Sequence, residues 1–168
     1  MTAAIALPEL AERIRARCPD TLVARGEVTA IVDRDDLLET LGWMRAELDL
    51  GFLSCVTATD HPGSEPRYRV VYELRSIEGH HRARVKVGLA DGDARIPSVT
   101  SIFPTANWHE RETFDFYGIV FEGHPALTRI LLPDDWEGHP LRKTEALGGV
   151  NTRYHGAFIP PVDTRTTT

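Results

Sequence analysis

The stretch YRVVYELRSIEGHHRARVKV, residues 68–87, alternates apolar and polar side chains over two runs separated by a turn. Because successive side chains of a strand point to opposite faces, this pattern predicts two strands with one buried and one solvated face. Glu78 and Gly79 lie between the runs and predict the turn of an antiparallel hairpin. The predicted buried face consists of Tyr68, Val70, Tyr72, Leu74, Ala83, Val85 and Val87.

The residues before this hairpin predict two helices and three more extended segments. In the second helix, Asp33 is the predicted N-cap and Gly51 the predicted end. The apolar stripe of that helix recurs at helical spacing and consists of Leu37, Leu38, Leu41, Met44 and Leu48. The remaining predicted elements are a helix at 8–17, two short extended pieces within 21–32 and a buried strand at 52–59.

After the hairpin, a helix is predicted from about Thr105 to Tyr117, and the composition then changes at Gly118. Glycine and proline supply 11 of the 51 residues from Gly118 onward but only 13 of the first 117, which favours turns and extended chain. A segment of this length without regular structure is uncommon unless it is functional. The sequence therefore predicts an α+β domain at 1–118, in which helices pack as a second layer on a mixed, mostly antiparallel sheet, and an extended partner-binding arm at 119–168.

Composition and charge are those of a globular protein of one domain. The chain has 168 residues, 42% of them apolar and 26% charged, and its longest apolar runs are only strand-sized. A net charge of −6 disfavours nucleic acid and anionic lipid as partners. Cys18 and Cys55 have no CxxC spacing and are expected to be small buried or half-buried residues. We expect a cytoplasmic protein without a secretory leader and without a metal or cofactor of its own.

Residues 107–143, NWHERETFDFYGIVFEGHPALTRILLPDDWEGHPLRK, place charges between aromatic rings more densely than an ordinary surface loop requires. On a helical wheel, one stripe carries Trp108, Arg111, Glu112 and Asp115. Charges beside buried rings need partners, so we expect Arg111 to pair with Asp115. Arg129 or Arg142 is expected to pair with Glu112. Charges left unmatched predict that a second polypeptide completes them.

Other functional hypotheses have weaker support in the sequence. A metal site at His109, Glu110, Glu112 and Asp115 is disfavoured because no second histidine stands four residues after His109. Acid–base catalysis by Glu112 and Asp115 is chemically possible, but no nucleophile motif or phosphate loop accompanies them. RNA binding by the basic outer face of the hairpin would require aromatic residues on that same face. We therefore assign no catalytic residue and no metal ligand to this chain.

Two Gly-His-Pro turns fix the directions of the His124 and His139 rings. Shared turn chemistry explains their likeness, and a common role in binding one partner is the alternative. Trp136 is a large amphipathic ring in a loop-like segment, which is typical of an interface anchor. Arg142 and Lys143 are placed to bind a carboxylate of a partner.

Together these motifs resemble the signature of the 30-kilodalton subunit of respiratory NADH:quinone oxidoreductase, complex I. The preceding hundred residues agree with that family in length and in α+β order, and the likeness fades beyond Glu145. The matching positions are Glu110, Arg111, Glu112, Asp115, Gly118, Gly123, His124, Pro125, Arg129 to Pro133, Trp136, Gly138, His139, Pro140, Leu141, Arg142 and Lys143.

The resemblance implies a non-catalytic subunit in the peripheral arm of a proton-pumping enzyme, on the cytoplasmic face of the inner (cell) membrane. Its expected partners are the 49-kilodalton quinone-site subunit and the iron–sulfur subunits. The resemblance also implies that iron–sulfur clusters, FMN and quinone are bound in neighbouring subunits. Alternatives are the equivalent subunit of a ferredoxin- or deazaflavin-dependent dehydrogenase or of a membrane-bound hydrogenase. An independent carboxylate-based enzyme is a more remote alternative.

Overall fold

The computed structural model describes residues 5–145, which form an α+β fold of three helices and seven strands. In chain order these elements are α1 (Leu7–Arg17), β1 (Thr21–Ala24), β2 (Glu27–Ile31), α2 (Leu37–Glu47), β3 (Phe52–Asp60), β4 (Tyr68–Arg75), β5 (Arg82–Leu89), β6 (Arg95–Pro97), α3 (Ala106–Tyr117) and β7 (Val120–Glu122).

Five of the strands form one sheet in the order β1-β2-β5-β4-β3. Only β2 and β5 pair in parallel, so the sheet is mixed and mostly antiparallel, as predicted. The hairpin β4–β5 lies at its centre, with Tyr72 opposite Val85 and Arg75 opposite Arg82. All seven residues of the predicted buried face of this hairpin lie in the core, where they pack with apolar residues of α1 and α2.

Helix α2 differs from its prediction at both ends. Asp33 is not the N-cap, because residues 33–36 first form a tight turn in which the Asp36 N–H donates to the Asp33 carbonyl at 3.2 Å. The helix therefore begins at Leu37 and ends at Glu47, four residues before Gly51. Of the predicted stripe, Leu38 is exposed, and the other four residues are buried.

Helix α3 covers the edge of the sheet at β3. The outward N–H of Val56 donates to His109 Nδ1 at 3.1 Å, while the Thr113 hydroxyl donates to the His109 carbonyl at 2.8 Å and lies 3.4 Å from the Val56 carbonyl. Unpaired groups of an edge strand invite association with other chains. The side chain of His109 satisfies the N–H of Val56, which fixes the helix beside the sheet.

The chain after Gly118 first returns to the core. β7 pairs in parallel with β6, and the side chains of Ile119 and Phe121 are buried. Packed structure therefore extends beyond the boundary predicted at Gly118. We call the following residues 123–145 the arm segment. The last part of the predicted arm, residues 146–168, lies outside the described residues.

Candidate functional site

Two carboxylates of α3, those of Glu110 and Asp115, have no solvent exposure. Glu110 faces the body of the domain, where it accepts the Ser98 hydroxyl at 2.6 Å and the Val99 N–H at 2.7 Å. Burial raises the pKa of Glu110, although both hydrogen bonds oppose the shift. This carboxylate holds the loop before α3 under the helix, which is a structural role.

Asp115 lies on the other side of α3, and the arm segment buries it. Arg129 donates to Oδ1 at 2.7 Å, while the backbone N–H groups of residues 130, 131 and 132 all converge on Oδ2 at 3.1, 2.9 and 2.9 Å. Consecutive N–H groups of this kind form an anion-binding concavity. Burial alone would raise the pKa of Asp115, but these donors outweigh it and the pKa is lowered.

The ion pairs predicted for α3 are therefore wrong. Arg111 does not pair with Asp115: it donates to the Thr128 carbonyl and hydroxyl at 3.1 and 3.0 Å and stacks on Trp108, 5.2 Å from the ring centre. Glu112 is exposed and forms no ion pair within residues 5–145. The chain supplies its own partners for Asp115, so no second polypeptide is needed to neutralise it.

The arm segment also supplies donors to the C-terminal end of α3. The last four carbonyls of a helix have no donor within the regular helix, and here only that of Phe114 is closed locally, by the Gly118 N–H at 2.8 Å. The arm segment reaches the other three, with His139 Nδ1 at 2.9 Å from the Asp115 carbonyl, the Leu141 N–H at 3.2 Å from that of Phe116 and Arg142 Nε at 2.7 Å from that of Tyr117. Arg142 also brings positive charge to the negative end of the helix dipole.

Gly118 makes this close approach possible. Its φ of +70° is the left-handed conformation that ends many helices and that favours glycine. A Cβ at this position would stand 2.4 Å from His139 Nε2 and 2.5 Å from Arg142 Nη2. Gly118 is therefore required both by the backbone conformation and by the two side chains that cover it.

Both histidines of the Gly-His-Pro turns bind α3 of their own chain. His124 Nε2 donates to the Asn107 carbonyl at 3.2 Å, and its Nδ1 accepts the Ala126 N–H at 3.0 Å. The His139 ring lies edge-on to Phe114, with 6.4 Å between ring centres. Burial lowers the pKa of His139, and the nearby Arg142 and Arg129 lower it further. The two turns thus share one role, which is to hold the arm segment at two points along one helix.

Trp136 is half-buried, and its backbone carbonyl accepts Arg129 Nη2 at 3.1 Å. The same guanidinium thus links Asp115 of α3 to the loop before the second Gly-His-Pro turn. Gly138 has a φ of +89°, and its carbonyl lies 3.5 Å from Arg129. Arg129 is the side chain that joins most parts of the arm segment.

A second attachment point lies at the end of β3 and involves residues that the sequence did not single out. The buried carboxylate of Asp60 accepts the Lys143 N–H at 2.8 Å and two nitrogens of Arg67 at 2.8 and 3.1 Å. The hydrogen bonds from Arg67 lower the pKa of Asp60 against the effect of burial. Arg67 and Arg142 both lie over the Tyr68 ring. Asp60 and Lys143 are 83 positions apart, so no local pattern marks them.

Three large apolar side chains remain exposed around the arm segment: Trp108, Leu131 and Leu141, with 62%, 58% and 44% of their surface accessible. The hydrogen bonds and ring contacts beside these three side chains are made to successive positions along α3. Arg111 joins Trp108 to Thr128, the Leu131 N–H binds Asp115 one turn later, and the Leu141 N–H binds the Phe116 carbonyl. We call these three exposed side chains the arm face.

A protein-family model matches most of the chain, including the residues of this site. The family model described as the respiratory-chain NADH dehydrogenase 30 Kd subunit matches residues 30–151. This chain belongs to that family. The match begins near the end of β2 and includes strands β3 to β7, all of α3 and the complete arm segment.

Curated relatives of the 30 Kd family agree closely with the chain. It is 45% identical over 150 residues to the C subunit of NADH-quinone oxidoreductase from Nocardioides sp., a match that covers 88% of this chain and 60% of the relative. With the protein of the same name from Saccharopolyspora erythraea the identity is 49%, over 85% of this chain and 59% of that protein. The chain thus spans about 60% of the length of these relatives.

Two solved structures share the fold of this 30 Kd-type protein. The trypsin-resistant fragment 1–134 of Nqo5 has a TM-score of 0.65 at 31% identity, over 73% of this chain and all of the fragment. A chain of the membrane-bound sulfane sulfur reductase, an archaeal respiratory membrane complex, has a TM-score of 0.72 at 28% identity, over 83% of this chain and 85% of that chain.

The site residues predicted from the sequence occupy two kinds of position. Those that hold the arm segment on α3 or hold α3 on the domain are Glu110, Arg111, Asp115, Gly118, His124, Arg129, Trp136, Gly138, His139 and Arg142. Those with exposed side chains are Glu112, Pro125, Pro140, Leu141 and Lys143. Within residues 5–145, no helix has the length and apolar character that crossing a membrane requires.

Proposed function

We propose that this chain is a non-catalytic assembly subunit in the peripheral arm of a proton-pumping NADH:quinone oxidoreductase of the complex I type. Its arm face docks the 49-kilodalton-type subunit that forms the quinone site. Iron–sulfur clusters, FMN and quinone are then bound by neighbouring subunits, and the complex brings the chain to the cytoplasmic face of the inner (cell) membrane. The relatives are named as parts of an NADH-quinone oxidoreductase, which supports the proposed donor and acceptor.

The observation that carries this proposal is the contrast between the inner and outer sides of the arm segment. On the inner side, the polar groups of Asp115, Arg129 and His139 are matched within the chain. On the outer side, the arm face exposes Trp108 and Leu131 to solvent. Interfaces use large rigid apolar side chains as anchors, and anchors bind best on a fixed backbone.

The internal hydrogen bonds therefore serve docking indirectly. Each one holds part of the arm face in place before a partner arrives, which reduces the entropy lost on association. Arg111 is part of this arrangement, because it stacks on Trp108 while its nitrogens bind Thr128. A cation over an indole ring also restrains that ring.

A second candidate is the equivalent subunit of a complex with a different electron donor, such as ferredoxin, a deazaflavin or hydrogen. The likeness to a chain of the membrane-bound sulfane sulfur reductase favours it, because that respiratory membrane complex is not named as an NADH-quinone oxidoreductase. The docking role of the arm face is the same in both candidates. Purification of the native complex with its bound flavin and measurement of NADH oxidation distinguishes them.

Co-purification of the native complex through a tag on this chain tests the docking role. We expect Leu131→Asp to reduce recovery of the 49-kilodalton-type subunit at least about tenfold, because a charge replaces a buried anchor of the interface. Leu22→Asp is the matched control, since Leu22 is 58% exposed like Leu131 but lies on β1. We expect it to leave recovery unchanged.

Both variants should fold normally, because substitutions at exposed positions change stability little. Their urea midpoints check this. If Leu131→Asp keeps full recovery while it remains folded, the arm face is not the docking surface. If Leu22→Asp alone loses the partner, the exposed edge of the sheet at β1 takes its place.

A further inference from the structure

A cavity of about 540 Å³ lies between the start of α1 and the turn of the β4–β5 hairpin, and its lining includes no residue of the described arm segment, 123–145. Its volume falls in the range of roughly 300–1,000 Å³ that small-molecule sites occupy. One wall is apolar and includes Leu7, Leu10 and Ile77. The other wall is basic and comes from the hairpin.

The basic wall contains a pair of like charges. Arg75 and Arg82 stand directly opposite each other in the register of β4 and β5, and both line the cavity. Like charges directly opposite across two strands destabilise a sheet. Arg82 has a partner, Glu27 at 2.8 Å, but Arg75 forms no ion pair within residues 5–145. Among these residues, the guanidinium of Arg75 lacks an anion.

The same wall contains a buried imidazole with one unpaired nitrogen. His81 is only 8% exposed, and its Nε2 donates to the Leu48 carbonyl at 2.7 Å. Its Nδ1 is buried and has no hydrogen-bond partner among the described residues. Buried polar atoms without a partner are rare in native proteins and are costly.

The backbone beside His81 is also unusual. His80, which lines the cavity, has a φ of +54°, a left-handed conformation that is uncommon outside glycine but that histidine adopts more readily than most other residues. Strained backbone of this kind is concentrated at ligand-binding and catalytic sites. A like-charge pair, an unpaired buried nitrogen and a left-handed histidine therefore meet in one cavity that the arm segment does not use.

We propose that this cavity binds a small organic anion that carries an apolar chain. A carboxylate or phosphate group accepts hydrogen bonds from Arg75 and Arg82, and His81 Nδ1 is a third polar atom of the same wall. Guanidinium groups suit such anions because their parallel N–H groups match two oxygens at once. The apolar chain lies against Leu7 and Ile77. The anion thereby removes the repulsion between the two arginines.

Titration of the isotopically labelled full chain with four probes tests this site by NMR. Octanoate and octyl phosphate carry both an anion and an apolar chain, octanol carries only the chain, and inorganic phosphate carries only the anion. We expect saturable shifts of the Ser76 to Arg82 amide signals with at least one of the first two probes. Octanol and inorganic phosphate should bind at least tenfold more weakly. The comparison of octanoate with octyl phosphate identifies which anionic group the site takes.

Three variants locate the binding. Arg75→Gln should weaken the dissociation constant of the bound probe at least tenfold, while Arg69→Gln, on the same strand and also exposed but outside the cavity, should leave it unchanged. His81→Gln keeps a donor for the Leu48 carbonyl and removes Nδ1, so it should weaken binding without a change in fold. The proposal fails if no probe saturates, if octanol or inorganic phosphate binds as tightly as the best probe, or if Arg69→Gln and Arg75→Gln have equal effects.

Discussion

The β4–β5 hairpin and the arm segment are held in the structure by different forces. Tyr72, Val85 and their neighbours in the hairpin are buried apolar residues that pack against two helices. Within residues 123–145, no apolar side chain is fully buried: Leu127 packs half-buried against the core, and the contacts to α3 and Asp60 are mainly polar. Burial of apolar surface is non-directional, whereas a hydrogen bond depends on the position of each atom.

This difference explains why the residues that resemble the family signature are concentrated in residues 107–143. A core accepts many apolar residues of similar volume. Asp115 accepts hydrogen bonds from four donors, so few other residues can replace it. Few residues can replace Gly118, which lies beneath His139. The dense motif at 107–143 therefore reflects the geometry of attachment within the chain as well as the surface it exposes.

Removal of the Asp115 carboxylate should have the largest effect on this attachment. Asp115→Ala leaves Arg129 and three backbone N–H groups without their acceptor, so we expect a loss of about 3–5 kcal/mol in the free energy of unfolding. Urea unfolding measures this loss. Amide exchange of Leu131 and Leu132 should accelerate in the same variant.

Glu112→Ala is the matched control for Asp115→Ala. Glu112 lies one turn earlier on the same helix and is exposed, so its removal should change the urea midpoint very little. Equal losses in the two variants would mean that the buried cluster does not hold the arm segment.

The sequence predicted the hairpin but could not predict this cluster, and the reason is physical. Alternation along residues 68–87 fixes which side chains face the core, since the period of a strand is two. The wheel of α3 placed Asp115 on one stripe with Trp108, Arg111 and Glu112 and predicted that part of this stripe is buried. The burial of Asp115, however, comes from residues 129–132, which carry no periodic signal that would connect them to a helix. The nearest cation on the wheel, Arg111, was therefore the wrong partner.

Conservative substitutions should show the same contrast between the arm segment and the apolar core, with smaller losses in the free energy of unfolding. Arg129→Lys cannot bind the Asp115 carboxylate and the Trp136 carbonyl together, because an ammonium lacks the fixed geometry of a guanidinium. We expect a loss of about 1–3 kcal/mol. Leu41→Met, on α2 in the same apolar core as the hairpin, keeps its volume and should cost less than about 1.5 kcal/mol. Urea midpoints of the two variants compare these losses, and a larger loss for Leu41→Met would reverse the contrast.

Gly123 and Gly118 both have a positive φ, but only Gly118 lies close to other side chains. Alanine at each position therefore separates the cost of backbone strain from the cost of close contact. Gly123 has a φ of +79° with nothing within 4 Å of the position that a Cβ would take, so Gly123→Ala should cost only the backbone strain of about 1 kcal/mol. Gly118→Ala carries the same strain and also displaces His139 and Arg142. We expect an additional loss of about 1–2 kcal/mol, measured as a lower thermal midpoint. If both variants lose the same amount, the cover over Gly118 adapts freely.

The smallest expected effect is a pH dependence that belongs to the arm segment. The folded-state pKa of Asp115 is lowered, so its contribution is fully present above the unfolded value of about 3.9 and is lost as pH falls through the folded value. Urea unfolding of the wild-type chain and of Asp115→Ala between pH 6 and pH 3 should therefore show a difference in stability that narrows as pH falls.

The subtraction of these two curves is necessary because other carboxylates titrate in the same range. Asp60 also has a lowered pKa, so its contribution to stability is likewise lost as pH falls. Glu110 has a raised pKa, so its contribution to stability is lost as pH rises above about 4.3. The contributions of Asp60 and Glu110 are present in the wild type and in Asp115→Ala, so they cancel when one stability is subtracted from the other. A difference that stays constant down to pH 3 would mean that the Asp115 carboxylate does not stabilise the arm segment through its charge.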